Sequence, residues 1–348
     1  MQGVVFLGNR KLELRDFADP VPGPGEVVLA IKASGMCGSD LHAYRAAGDA
    51  ATGLGLGGGG TPVIAGHEPC GVVHAVGAGV DPALAGRRVM SHHYKGCGWC
   101  RHCRGGWSQL CRGGITVYGV TGHGAHAPYM KAPASTLVPL PDALSFEEGA
   151  AVACGTGTAY GALRRLDVSG RDTLAVFGQG PVGLSATLLG RAMGARVIAV
   201  DVSRERLALA RELGAEHVVD PRAADPVRAI HDLTGGDGAE CTMDCTGHPE
   251  ARAQAVRSAG TWGRVAFVGE GGTVSLDVSK DLLRRQITIH ASWTFSNTGQ
   301  EECARFVADR RVPLGRLLTH RWRLGQADEA YRLFDTQTTG KGVFVFEP

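Results

Sequence analysis

The chain has almost no net charge to offer a polyanion. Its 36 basic residues stand against 34 acidic ones along 348 positions, so no global field draws it to nucleic acid or an anionic membrane. It also lacks a long hydrophobic run: no stretch approaches the ~18 apolar residues a membrane span requires. The opening MQGVVFLGNRKLELRDF has no charged start followed by a signal-type apolar core and a small-residue cleavage site. These absences leave a cytoplasmic protein with no membrane and no nucleic-acid partner as the expectation. The length suffices for about two domains, each burying its own core. Glycine is abundant, at 52 residues, which suits short turn-rich connections better than a helical bundle.

Ten cysteines are present, and residues 97–111 read CGWCRHCRGGWSQLC. In a reducing cytosol a disulfide framework is not expected, and a chain of this size needs none. The spacing C-x2-C-x2-C-x7-C, made by Cys97, Cys100, Cys103 and Cys111, lets a tight loop fold its thiolates around one tetrahedral zinc. An iron–sulfur site or a redox pair is the alternative for the same residues. A zinc closed by four thiolates has no open position, so it is a staple, and chemistry must lie elsewhere.

Residues 1 to about 150 carry short apolar runs broken by Gly and Pro, such as EVVLAIKAS and GVVHAVGAGV, a pattern for small twisted sheets or a partly open barrel. From about 172 to 293 the runs DTLAVFG, RVIAVD, HVVD, AECTMDCTG, GRVAFVG and QITIHASW are apolar and β-branched, and most are followed by a helical segment. This predicts a doubly wound parallel sheet within an α/β chain. The tail from about 300 is expected to return to the first domain through a helix, a turn, a second helix and the strand GVFVF. The glycine-rich segment 53–60 is expected to be a surface loop, or a cover over the substrate site.

The first strand of the second half runs into GQGPVG, with Gly178, Gly180 and Gly183 in G-x-G-x-x-G register and the helix PVGLSATLLGRAMG after it. Asp201 ends the next strand, as the dinucleotide fingerprint requires. Gly178 permits the tight turn, Gly180 lets backbone approach a pyrophosphate, and Gly183 lets the helix pack on the strand. The helix start at Pro181 and Val182 offers N–H groups to phosphate. Asp201 would accept from ribose hydroxyls and repel a 2′-phosphate, favouring NAD over NADP. Arg204 and Arg206 compete with that reading, since either could hold such a phosphate; the plainer expectation for both is a solvated first helical turn.

Three further segments carry ligand-type residues: MCGSDLH with Cys37, Ser39, Asp40 and His42; GHEPC with His67, Glu68 and Cys70; and ACGTGTAY with Cys154 and Thr158. Taken singly each reads as packing or surface. Together with the cysteine lobe, the glycine motif and the closing THRWRL, they resemble the zinc-dependent medium-chain alcohol and polyol dehydrogenases over essentially the whole chain. The resemblance implies a GroES-like β-rich catalytic domain, 1–154, with the structural zinc lobe at 95–113, completed by 296–348. It also implies a Rossmann dinucleotide-binding domain, 155–295, two zinc ions per chain and NAD, with Thr158 and Arg206 among the residues at the cofactor. The catalytic zinc would be held by Cys37, His67 and Cys154, leaving a position on which an alcohol oxygen is acidified. Glu68 would lie behind the metal or replace a water on it, and Asp40 would orient His67. Ser39 would pass the substrate proton through the nicotinamide ribose to His42.

By the same resemblance the run Ser91, His92, His93 and Tyr94 borders the substrate site, and its polarity suggests a polyol, sugar or amino alcohol oxidised to a ketone. Alternation along a strand gives a competing reading, with one histidine outward and the other in packing. Trp293 and Phe295 are expected to wall the same cleft. Cys70, Cys241, Cys245 and Cys303 are read as packing residues. A homodimer or homotetramer with a small-molecule alcohol or ketone substrate is expected. A less polar alcohol, or a non-catalytic NAD(H)-binding redox sensor, is the alternative; a zinc-ribbon nucleic-acid binder is disfavoured because few basic residues besides Arg101, Arg104 and Arg112 surround the lobe.

Overall fold

The computed structural model describes residues 1–47 and 62–347, so the glycine-rich segment 53–60 lies outside the described residues. Among them Gln2–Gly8 pairs with Lys11–Asp16, and Tyr94–Lys95 with Thr116–Val117, in two separate two-stranded sheets, while EVVLAIKAS and GVVHAVGAGV give strands of one mixed sheet. Its centre is Glu26–Gly35, flanked by Pro69–Val76 and by Tyr129–Pro133. Val27, Leu29 and Ile31 point to one side and meet Val73, Val89 and Met130. Ala33 belongs instead to the core with Cys70, Met90 and Val138. Arg88–Ser91 and Leu137–Pro139 extend this sheet on one side. On the other, the chain's last segments close it: Lys341–Val345 pairs antiparallel with Glu26–Gly35, and Leu318–Trp322 pairs parallel with Lys341–Val345.

The second half forms a six-stranded parallel sheet in the spatial order His217–Val219, Arg196–Val200, Thr173–Phe177, Ala239–Asp244, Ala259–Phe267, Thr288–Ala291. Thr173–Phe177 is buried throughout, because helices cover both faces of such a sheet. Its side chains divide by alternation: Leu174 and Val176 join one core, Ala175 and Phe177 the other. Leu174→Ala in this setting would cost about 2–5 kcal/mol. Chain order reverses between Thr173–Phe177 and Ala239–Asp244, and ligands of open α/β sheets bind in the crevice beyond the strand ends at such a point. Gly178 and Cys245 directly follow those strands.

One helical rod joins the two sheets. Phe146–Ala151 starts with a capping box between Ser145 and Glu148, and Gly157–Arg165 continues the rod after a π-helical segment, Val152–Thr156. The extra residue of a π segment displaces side chains from regular helical register, which is why such segments recur at functional sites. Cys154 sits on it.

Candidate active site

In the lobe, Cys97 precedes the short helix Arg101–Arg104, and Cys111 follows the 3-10 turn Ser108–Leu110. Backbone N–H groups of Cys97, Cys100 and Gly113 donate to sulfur atoms at 3.2–3.4 Å. Backbone bonding, led by the Cys103 residue, lowers Cys100 to about 6. Cys100 Sγ lies 3.5 Å from Cys103 Sγ and 4.0 Å from Cys111 Sγ. A tetrahedron with Zn–S bonds of about 2.3 Å has edges of about 3.8 Å. A disulfide needs S–S near ~2.05 Å, and every cysteine here is free. The donor set therefore fits a closed zinc site.

The second cluster is assembled from three distant segments. Cys37 follows the central strand, His67 precedes Pro69–Val76, and Cys154 comes from the π segment. The donor atoms of Cys37, His67, Glu68 and Cys154 all lie within 4.8 Å of one another, and all four residues are buried. Cys37 and Cys154 Sγ are 4.0 Å apart, again a zinc tetrahedron edge. Hydrogen bonding from the Cys154 thiol holds Cys37 well below its usual range, and Cys154 itself is pushed up. Two sulfurs and an imidazole form the donor chemistry of an open zinc site.

Behind the ligands runs a buried polar chain. His67 Nδ1 lies 2.9 Å from Asp40 Oδ1, so Nε2, which meets Ser39 Oγ at 3.1 Å, is the nitrogen that would hold a metal. Asp40 Oδ2 accepts from Cys37 N–H at 2.8 Å and from the Tyr331 hydroxyl at 3.1 Å. Tyr331 in turn meets His126 Nε2 at 2.7 Å, and His126 Nδ1 meets Ser34 Oγ at 2.7 Å. Burial pushes His126 down to about 4, so it stays neutral. Glu68 accepts from Gly155 N–H at 3.3 Å, and its other oxygen lies 2.5 Å from Lys341 Nζ. Burial raises Glu68 to about 7; burial alone would lower Lys341, but the facing carboxylate raises it instead. Lys341, Tyr331 and His126 are isolated in the sequence, and no spacing pattern marks them.

Cys37, Ser39, His42, His67, His93, Tyr94, Cys154, Thr158, Gly178, Gly180, Pro181, Val182, Gly183, Asp201, Arg206 and Trp293 all line one cleft of about 540 Å³. At one end of it Gly178 has φ +86, and a Cβ on Gly183 would lie 1.7 Å from the Gly178 carbonyl, so both turn and packing demand glycine. The helix Pro181–Ala192 begins there, with Gly180 as its N-cap and no side chain capping it. Asp201 accepts from the N–H groups of Gln179 and Ser203, which fixes its carboxylate at the cleft. Val202, Cys245, Thr246, Glu270 and Gln337 also line the cleft, and Cys245 packs against the main core as well.

Three expectations change. Arg204 is exposed, but Arg206 is only 6% exposed and is not a solvated first-turn residue. The chain's last part covers it: Arg206 Nε donates to the Thr339 carbonyl at 3.1 Å, and Nη2 is buried with no partner. Neither His92 nor His93 points outward; they are 1% and 2% exposed. His92 Nε2 pairs with the Phe295 carbonyl at 3.1 Å, whereas His93, held through Nδ1 by the Ala153 carbonyl at 3.1 Å, reaches the cleft. Burial holds His93 well below the usual imidazole range. Phe295 is buried behind the wall, and Thr294 takes its place beside Trp293.

Residues 23–142 match the alcohol dehydrogenase GroES-like domain, and residues 181–309 match the zinc-binding dehydrogenase domain. A zinc-type alcohol dehydrogenase-like protein of Escherichia coli K12, YphC, described as uncharacterized, is 41% identical over 349 residues, 97% of each chain. L-threonine 3-dehydrogenase of Pyrococcus abyssi is 30% identical over 96% of this chain and 95% of its own. L-idonate 5-dehydrogenase of Vitis vinifera is 30% identical over 96% and 91%. The alcohol dehydrogenase of Thermus sp. ATN1 superposes with a TM-score of 0.89 at 28% identity, covering all of both chains. The chain belongs to the zinc-dependent medium-chain dehydrogenase family. No helix among the described residues is long and apolar enough to cross a membrane.

Proposed function

We propose that this chain is an NAD-linked dehydrogenase that interconverts a secondary alcohol, of the polyol, sugar or amino-alcohol kind, and its ketone by hydride transfer. The observation that carries it is the sharing of one cleft by the Cys37–His67–Cys154 cluster and the Gly178–Gly183 turn. These three residues would hold a zinc ion, and the four lobe cysteines a second. When bound in the open cluster, zinc supplies a Lewis-acidic position that lowers the pKa of an alcohol oxygen. Asp40 holds the His67 ring by its far nitrogen. Ser39, half-buried on the cleft wall, would take the substrate proton, and exposed His42 at the mouth would hand it to solvent once a nicotinamide cofactor is bound. His93 stays neutral and offers the substrate a hydrogen bond beside the aromatic face of Trp293.

Polar lining by His93 and Tyr94 favours a polar substrate, and the relatives named for L-threonine and L-idonate point the same way. Asp201 favours NAD, because a carboxylate already fixed by two N–H donors repels a 2′-phosphate. A homo-oligomer is supported by the outer strand Thr288–Ala291, mostly exposed, with Leu283 and Trp262 exposed at 61% and 72%; unpaired edges of this kind invite a second strand.

The test is a screen of polyols, amino alcohols and simple secondary alcohols with NAD and with NADP, followed by reduction of the matching ketones. NAD is expected to outperform NADP, with Asp201→Ala narrowing the gap, since removing the carboxylate lifts its repulsion and leaves the partnerless Arg206 Nη2 to meet a phosphate. Preference for NADP in the unaltered enzyme overturns the cofactor assignment; the absence of any nicotinamide reduction overturns the whole reading.

A further inference from the structure

The cysteine lobe does more than close on itself. Gln109, in the turn just before Cys111, is 4% exposed. Its Nε2 donates to Thr294 Oγ1 at 2.9 Å and to the Phe295 carbonyl at 2.7 Å. Three residues earlier in the lobe, the Gly106 carbonyl accepts from Asn297 N–H at 3.0 Å. Gly106 has φ +81, a left-handed state that favours glycine, so the close approach depends on glycine there. The receiving segment needs holding: Thr294 has φ 53, a left-handed state that a β-branched residue rarely adopts. That segment leaves the last strand of the parallel sheet and carries Trp293, whose ring meets Tyr94 edge-on at 5.7 Å between centroids. Trp293, Thr294 and Tyr94 all line the cleft.

We infer that Gln109 is a positioning residue for substrate: its amide clamps the 293–295 turn, so the cysteine lobe sets the width of the substrate end of the cleft. The lobe is flanked by Tyr94–Lys95 and Thr116–Val117, which pair in a two-stranded sheet of their own, while the turn follows the last strand of the parallel sheet. The clamp therefore ties two separately built walls at one place. Losing the amide donor frees the Thr294 hydroxyl from the lobe and leaves the Phe295 carbonyl with His92 Nε2 alone. The Gly106–Asn297 bond still anchors the segment beyond, but the left-handed Thr294 loses its direct tie to the lobe, and Trp293 beside it gains freedom.

This inference rests on the dehydrogenase reading for its kinetic half only. The experiment compares the metal-loaded enzyme with Gln109→Met, which keeps length and volume and removes the donor. Hydrogen exchange across residues 292–297 is expected to quicken about fivefold or more, from loss of hydrogen bonds of ordinary strength, with the strands of the parallel sheet unchanged. With 2-propanol and cyclohexanol as probes, KM for the smaller alcohol is expected to rise about fivefold while kcat stays within about twofold. The preference between the two alcohols shifts toward the bulkier one. Unchanged exchange at 292–297 overturns the clamp; faster exchange with an unchanged preference overturns its role in selecting substrate. If no alcohol of the screen is turned over by the unaltered enzyme, the dehydrogenase reading fails while the exchange comparison still decides the clamp; if only polar alcohols are, the smallest and the bulkiest of them replace 2-propanol and cyclohexanol. Thr294→Val, which removes one acceptor without touching the lobe, gives the same comparison should Gln109→Met fold poorly, with a smaller effect in the same direction.

Discussion

The two sulfur clusters have similar spacings in opposite surroundings. Cys97, Cys100, Cys103 and Cys111 come from one loop and remain partly exposed, whereas Cys37 and Cys154 are separated by 117 residues and buried with His67. The lobe's geometry is local: short turns and backbone N–H groups aim its sulfurs, and little of the rest of the fold is needed. The cleft cluster exists only when the mixed sheet, the π segment and the chain's last strand have all assembled, since Lys341 from that strand sits against Glu68. One cluster helps make structure; the other is made by structure. The metals they would hold should differ accordingly.

The largest expected effect tests that division directly. Cys37→Ser is expected to lower kcat/KM by about a thousandfold or more, because Lewis-acid stabilisation worth several kcal/mol is lost, while leaving the melting temperature nearly unchanged. Cys103→Ser is expected to do the reverse: a thermal transition lower by about 10 °C, with aggregation, since structural zinc binding is coupled to folding. Activity per folded molecule should then survive better than in Cys37→Ser. If calorimetry and kinetics show the two variants failing alike, the contrast between the clusters is broken.

The same contrast explains what was legible beforehand. The lobe could be read from spacing because all four ligands lie within one loop. The parallel sheet could be read because strands covered on both faces are near-continuous apolar runs, as in LAVF and VIAV. Grouping Cys37 with His67 and Cys154 came only through likeness to a known family, for no spacing rule links residues so far apart. Arg206 was misjudged because its cover, Gln337 and Thr339, arrives from more than 130 residues away. Strand alternation misled at His92 and His93, which lie in the break between Arg88–Ser91 and Tyr94–Lys95. Tyr331, His126 and Lys341 left no signal, since a single buried polar residue is defined by its partner and not by its neighbours in the chain.

A smaller effect is expected at the cleft mouth. His42→Ala is expected to slow alcohol oxidation about a hundredfold at neutral pH, the lower end for a positioned acid–base group, and less at alkaline pH, where hydroxide replaces it. Added imidazole should recover part of the rate in His42→Ala but not in Ser39→Ala, because only the exposed position admits a buffer molecule. Steady-state rates across pH, with and without imidazole, check this. Full activity of His42→Ala at every pH moves the proton exit elsewhere, with His93 the next residue to examine.

The smallest effect sharpens the comparison without altering a residue. Protein purified without added metal is expected to contain two zinc ions per chain, and an excess of chelator should remove them in two kinetic phases. The lobe is reached directly from solvent, and its metal leaves by opening of a short loop that the nicotinamide cofactor does not touch. Cys37, His67 and Cys154 line the same cleft as the glycine turn, so bound NAD covers the path by which a chelator reaches them. At a cofactor concentration ten times its dissociation constant, only about a tenth of the sites remain open, and the protected phase should slow about tenfold by mass action. The other phase should keep its rate. The readout is zinc release followed with a colorimetric indicator, with and without NAD. Equal slowing of both phases would mean that the lobe's metal is held by the closed state of the whole protein and not by its own loop, and a single phase with one ion per chain would mean that one of the two clusters holds no zinc.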